Sequence, residues 1–342
     1  MQSASVHPGV IAWLFACAVM IFTMVVIGGI TRLTQSGLSI VEWQPIMGTL
    51  PPLDDAAWQA AFTAYQNFPE YQKVNAGMTL DAFKGIFWVE YVHRLWGRLI
   101  GIVFAVPLVL FWIRGRLPGR LRWPLAGIFA LGALQGALGW YMVKSGLVDR
   151  PDVSPYRLTA HLLLAVGIYA AILWIAFDLI RPRERGRPSP ALIRALLVLV
   201  VLTITAGGFV AGLDAGFAYN TFPLMDGSLI PSDYLALSPA WLNLFENIPA
   251  VQFDHRWLAI TTLVVAIVLW RSTAGADTGM RRAGLAVAIA ACLQVALGIA
   301  TLILIVPVPL AAAHQAGALV LFTAVLWAMH QSRVGRFPAA PA

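Results

Sequence analysis

The 342-residue chain is 59% hydrophobic and only 11% charged, far from the roughly 45–50% apolar and about 25% charged residues of soluble globular domains. Composition excludes a soluble enzyme. With 23 Lys and Arg against 16 Asp and Glu the net charge is +7, and in a membrane protein such an excess reports basic cytoplasmic loops rather than nucleic acid.

A membrane-spanning helix needs roughly 20 mostly apolar residues. Eight stretches reach that length, at about 9–30, 86–113, 121–143, 157–180, 192–213, 253–270, 283–306 and 310–330. The first follows MQSASVHPG, which holds no Lys or Arg, and lacks a small-residue cleavage motif at its end, so a retained helix is expected rather than a signal peptide. The loop from about 31 to 85 is long, acidic at Glu42, Asp54, Asp55, Glu70 and Asp81, and aromatic at Trp43, Trp58, Phe62, Tyr65, Phe68 and Tyr71. Long loops of this kind are usually functional or disordered, and the aromatic content points to a folded outer cap. RPRERGRPSP, from Arg181, is a basic tether that sets topology, and Pro307 to Pro309 predict a tight reversal between the last two spans. Cys17 and Cys292 each sit in an apolar run, so neither a disulfide framework nor a thiolate metal site is expected.

Lys and Arg distribute unevenly about these spans. One set of connections, with the C-terminal tail, carries 14 (Arg114 to Arg122, Arg181 to Arg194, Arg271 to Arg282, Arg333 and Arg336), the other set carries 6, and Arg94, Arg98 and Arg256 lie within helices. The positive-inside rule then places both termini in the cytoplasm and the long loops outside.

The chain also resembles itself. Gly28-Gly29 matches Gly207-Gly208, His93-Arg94 matches His255-Arg256, the Gln135–Gly139 stretch matches Gln294–Gly298, and His161 matches His314, at offsets of 179, 162, 159 and 153. Four ordered matches describe a duplicated four-helix unit. The expected fold is therefore an all-α membrane protein of eight transmembrane helices, arranged as two pseudo-symmetric four-helix bundles over 1–180 and 181–342, related by an axis along the membrane normal.

Of six histidines, His7 and His330 lie at chain ends and are expected to be solvent or interface residues. His93, His161, His255 and His314 are expected in the first turns of the second, fourth, sixth and eighth spans, at similar depth beneath the outer face. A single such His is as readily a satisfied core residue as a functional one. Two per half, on alternate helices, can supply both axial ligands of a haem, whereas a His-only zinc or copper site usually needs three or more converging ligands. Arg94 and Arg256 directly follow a His and can pair with carboxylates such as haem propionates, or snorkel to lipid headgroups. The Gly-rich stretches allow close approach of helices or of a flat macrocycle. Glu90 lies one turn before His93 where the second half has Gln252. A carboxylate beside a haem can act as base or proton carrier, so chemistry is expected in the first half only. Against this, Glu90 can simply pair with Arg94 at i+4 on the surface.

GGITRLTQSGLSIVEWQPIMGTLPPL (28–53), PEYQKVNAGMTLDAFKGIFWVEYVHRLWGR (69–98), QGALGWYMVKSGL (135–147), LTAHL (158–162), FDHRW (253–257) and AAAHQ (311–315) together resemble the haem A synthase family, in its mitochondrial and proteobacterial type. The resemblance implies a multi-pass protein of the bacterial inner membrane that oxidises the C8 methyl of haem O to a formyl group, giving haem A for cytochrome oxidase. It implies haem b in the C-terminal half on His255 and His314, with Arg94 and Arg256 as cofactor-binding residues. Haem O or haem A would be held in the N-terminal half by His93 and His161, with Glu90 catalytic, and a lateral route would admit the farnesylated substrate. It further implies an electron-transfer partner, association with the farnesyltransferase that makes haem O, and contact with oxidase assembly factors. Self-association is left open. Some family members carry a cysteine pair in the first outer loop, and this chain does not. A di-haem b electron-transfer protein, needing the same four His but no reactive carboxylate, is the alternative.

Overall fold

The computed structural model describes residues 7–42, 47–148, 151–180 and 190–333. The tether Arg181 to Arg187 lies outside the described residues, as do Trp43, Arg150 and Arg336. Among the described residues there are ten α-helices, three short 3-10 turns and no strand. The helices are α1 (Pro8–Leu33), α2 (Asp55–Gln66), α3 (Pro69–Lys73), α4 (Leu80–Ile113), α5 (Gly119–Gly146), α6 (Pro155–Ile180), α7 (Ala191–Gly212), α8 (Ile248–Ser272), α9 (Thr278–Ile303) and α10 (Val308–Gln331). All but α2 and α3 are long and apolar enough to cross a membrane, so the chain is an integral multi-pass membrane protein.

Local chemistry sets the helix ends. Asp54, Thr79, Asn247 and Asp277 accept a hydrogen bond from the backbone N–H three residues on, at the starts of α2, α4, α8 and α9, satisfying a donor the first helical turn leaves free. Proline occupies the first turn of α1, α3, α8 and α10, where its missing N–H costs nothing. Between α9 and α10 the chain turns at Ile305 and Val306, both with positive φ (59° and 54°), a conformation that β-branched residues rarely adopt. Asn220 braces this end of α9 by donating to the carbonyls of Gly216 (2.8 Å) and Leu302 (2.9 Å).

Packing divides the chain into two compact units, Met1–Ile168 and Tyr169–Ala342, with the boundary inside α6. In the second unit α7 packs on α8, α8 on α9 and α9 on α10, and α10 returns to α7, closing a ring of four helices. His330 belongs to this core. It is 1% exposed, pairs through Nε2 with Asp178 Oδ1 at 3.0 Å, and stands edge-on to Trp174. The expected solvent or interface placement is thus corrected, because α10 stays packed to its last turn.

In the first unit α1 packs on α4 and α4 on α5. At 34 residues, α4 is about 51 Å long at roughly 1.5 Å per residue, well beyond a hydrocarbon core of about 30 Å. It begins at Leu80 rather than near 86 because its first turns carry the floor of the cap. There Phe83, Phe87 and Tyr91 pack with Trp58, Phe62 and Tyr65 of α2, with ring centres 5.1 Å apart for Phe62–Phe83 and 4.9 Å for Trp58–Phe87. One consequence is that His93 lies in the fourth turn of its helix rather than the first turns, whereas His161, His255 and His314 lie about two turns in.

Glu70 of α3 is buried beneath the cap. Its carboxylate accepts from the Tyr65 hydroxyl at 3.0 Å, and Asn75 donates to that same hydroxyl at 2.7 Å. Burial, reinforced by Glu90 and Asp152 and opposed by the Tyr65 hydrogen bond and by Arg32, pushes the carboxyl up to about 7 from 4.5. A carboxyl whose proton affinity is higher folded than unfolded stabilises the fold fully below the unfolded value, and loses that contribution as pH rises through the folded one. Cap stability should therefore fall between about pH 4.5 and 7. Amide exchange over residues 55–73, corrected for intrinsic rates, should show progressive loss of protection across that window in the parent protein and none in Glu70→Gln. An equal pH response in the variant would contradict the assignment.

Candidate haem sites and the arginine clamps

In the second unit α8 and α10 bring His255 and His314 together, with ring centres 6.4 Å apart and planes at 86°. Two metal–nitrogen bonds of about 2.0–2.1 Å, plus roughly 1.1 Å from each nitrogen to its ring centre, place two imidazoles on one metal about 6.3 Å apart. Perpendicular planes do not conflict with this, because each ring can rotate about its own metal–nitrogen bond. His255 Nδ1 lies 3.1 Å from the Thr203 carbonyl. A carbonyl can only accept, so Nδ1 carries the proton and Nε2 keeps its lone pair, the orientation ligating imidazoles adopt. The Gln294 amide nitrogen donates to the His314 carbonyl (2.9 Å) and lies 3.2 Å from its Nδ1. Thr203 and Gln294 also line an apolar cavity walled by Val200, Ile204, Leu263, Val295 and Leu321.

In the first unit α4 and α6 carry His93 and His161 within electrostatic reach of one another. Gln135 donates to the His161 carbonyl at 2.9 Å, repeating the Gln294 contact. The rings differ from those of the second unit. His161 Nδ1 is buried with no hydrogen-bond partner, and no hydrogen bond among the described residues engages the His93 ring. Both cysteines are free, and no three His, Cys, Asp or Glu side chains among the described residues converge on one point.

The carboxylate of Glu90 is 3% exposed and fully engaged. One oxygen accepts from Ser39 Oγ and the Ile40 N–H, both at 2.7 Å, and the other accepts from Arg94 Nε (2.9 Å) and Nη2 (2.6 Å). Arg94 goes on to donate to the carbonyls of Ile40 and Glu42. The pair expected at i+4 is present but buried rather than at the surface. In the second unit Gln252 donates to the Ala215 and Ala218 carbonyls and accepts from Arg256, which donates to Tyr219 and Thr221. Arg94 thus fastens the loop leaving α1 and Arg256 the loop leaving α7, with Arg256 Nε left buried and without a hydrogen-bond partner. The change from Glu to Gln follows the loop, which offers N–H and O–H donors in the first unit and carbonyls in the second.

Sequence reasoning did not single out Ser39, Ile40 or Thr203. Ser39 lay within a quoted stretch and Thr203 four residues before Gly207, but their contacts depend on loop backbone that no periodicity reports.

A family model described as cytochrome oxidase assembly protein, COX15-CtaA, matches residues 11–326. The chain belongs to this family. Relatives of this COX15-CtaA member include the heme A synthase of Nitrosospira multiformis, 52% identical over 97% of this chain and 96% of the relative. That of Rhodospirillum centenum is 50% identical over 98% and 92%, and that of Paramagnetospirillum magneticum 52% over 95% and 94%.

Truncating Arg94 leaves a buried carboxylate without its cation, whereas truncating Arg256 leaves only a neutral amide. Removing one partner of a buried ion pair costs about 3–5 kcal/mol, and losing a neutral hydrogen bond about 1 kcal/mol. Thermal inactivation of the detergent-solubilised protein should therefore be advanced more by Arg94→Ala than by Arg256→Ala. Equal shifts would contradict a charged clamp in the first unit.

Proposed function

We propose that the chain is an oxidoreductase of the inner membrane that converts haem O to haem A by oxidising a methyl group to a formyl group. Full-length similarity to heme A synthases supports the reaction. The observation that carries the site is the His255–His314 pair, whose 6.4 Å separation suits two ligands on one metal. Haem b would reside there, with the His255 ring tied to the Thr203 carbonyl. A ring tied in this way favours a permanent cofactor. The loosely held His93 and His161 favour a haem that enters as substrate and leaves as product, which assigns chemistry to residues 1–180 and the resident haem to 181–342.

When bound, the haem supplies redox chemistry that acid–base side chains lack. The residues around the first site handle protons and order. Glu90, one turn from His93, can take up a proton only when one of its donors releases it. Ser39 is the donor best able to do so, because its hydroxyl also lies 3.0 Å from the Ser36 carbonyl and can turn toward that acceptor. Arg94 holds Glu90 in place while tethering the loop at Ile40. The cap of α2 and α3 covers the projecting turns of α4 and limits access of water from that side. The arginine-rich connections support a cytoplasmic position for both termini. Lipid is the immediate surroundings, with an electron-transfer protein, the haem O-producing farnesyltransferase and oxidase assembly factors as further partners.

Pigment extraction and chromatography of the protein purified from cells supplied with haem O should yield haem b together with haem O or haem A. In Glu90→Gln, haem A production should fall about 10²-fold or more, the range for loss of an acid–base group, with haem b retained. Haem b alone in the parent protein would favour a di-haem electron carrier, and undiminished haem A in the variant would overturn the role of Glu90.

A further inference from the structure

Each of His93, His161, His255 and His314 faces a glycine on the membrane-spanning helix that precedes its own. Built on the glycine backbone, a Cβ at Gly139 of α5 would stand 2.9 Å from His161 Cε1. At Gly207 of α7 it would stand 3.1 Å from His255 Cε1, at Gly298 of α9 2.8 Å from His314 Cε1, and at Gly28 of α1 3.3 Å from His93 Nε2. Carbon atoms in favourable contact sit about 3.5–4.0 Å apart, so a methyl group at any of these positions would press on a ring edge. Not every glycine on these helices is so placed: Gly132 and Gly136 of α5 meet nothing within 4 Å, and the crowded Gly146 of α5 and Gly284 of α9 face Leu38 and Thr273 at helix ends. The four positions that face His93, His161, His255 and His314 are also the repeat-related ones, Gly28 with Gly207 and Gly139 with Gly298. A requirement met once in each hairpin of the duplicated unit is thereby defined.

We propose that Gly28, Gly139, Gly207 and Gly298 are positioning residues that set the rotation of the iron-ligating imidazoles, an inference that rests on the four histidines being haem ligands. An unliganded ring can swing away from a methyl group. A ring bonded to iron cannot do so without twisting or stretching that bond, so the constraint is felt in the haem-bound protein.

The ring settings give the idea detail. His161, His255 and His314 turn Cε1 toward their glycines and keep Nε2 farther off, at 3.7, 3.9 and 3.5 Å, whereas His93 turns Nε2 and Cδ2 toward Gly28. A half-turn of the ring about Cβ–Cγ interchanges these edges. His93 must make that turn to present Nε2 as the others do, and Gly28 leaves room for it. Gly28 thus serves capture of the exchangeable haem, while Gly207 and Gly298 serve the resident one.

The test uses full-length holoprotein with Ala at each of the four positions, and Gly132→Ala as the comparison. Electron paramagnetic resonance of the ferric haems and haem content per chain are the readouts. Gly207→Ala and Gly298→Ala should shift the g-values of haem b and weaken its retention by roughly tenfold or more, as for substitutions behind a metal ligand. Gly28→Ala and Gly139→Ala should instead alter the substrate haem, and Gly132→Ala neither. Thermal unfolding of the haem-free forms separates ring positioning from helix packing, because the free ring yields and the haem-free variants should match the parent. Parental g-values and haem content in all four variants would overturn the proposal, as would haem-free forms destabilised as much as the holoproteins. Failure of the ligation reading shows separately, as parental low-spin signals in His255→Ala and His314→Ala.

Discussion

An imidazole inside an apolar helix bundle needs a partner for each ring nitrogen, because no water is at hand to supply one. In the second unit one nitrogen of His255 is met by the Thr203 carbonyl, and the other is left for something that accepts a lone pair, with His314 placed 6.4 Å away. Iron between two such rings, as proposed, would satisfy both at once. The glycines that face the rings, the Gln294 amide and the closed ring of α7 to α10 are all arranged about that pair.

The second organising contact is the buried Arg94–Glu90 pair with its neutral counterpart Arg256–Gln252. Both arginines donate to loop carbonyls, and by fixing the exit of α1 or α7 they fix the helix that carries the facing glycine. The structural contact and the proposed chemistry therefore meet at Glu90. Two of the four hydrogen bonds that hold the Glu90 carboxylate, from Ser39 and Ile40, also hold the loop, so a proton would reach it only through rearrangement of a donor such as Ser39.

Much of this was legible in the chain because a membrane imposes strong constraints. Hydropathy located all eight spans, and the repeat paired His93 with His255 and His161 with His314. Boundaries slipped where the solvent changed: α4 continues past the membrane to Leu80 because Phe83 and Phe87 find an apolar floor in the cap, which a hydropathy window does not register. His330 lies near a chain end, where exposure is expected, yet Asp178 and Trp174 bury it. The meaning of Glu90 against Gln252 was also only half visible. Residue identity shows that a charge is lost, but only loop geometry shows that the hydrogen-bond donors it faced are exchanged for acceptors.

The most direct measurement of the central claim is magnetic resonance of the purified ferric protein, with each of the four histidines replaced by alanine in turn. Two low-spin bis-imidazole signals are expected in the parent protein, one lost with either His255 or His314 and the other with either His93 or His161. A signal that survives removal of both members of a pair, or one abolished by a histidine from each unit, would contradict one haem held between two helices of each unit.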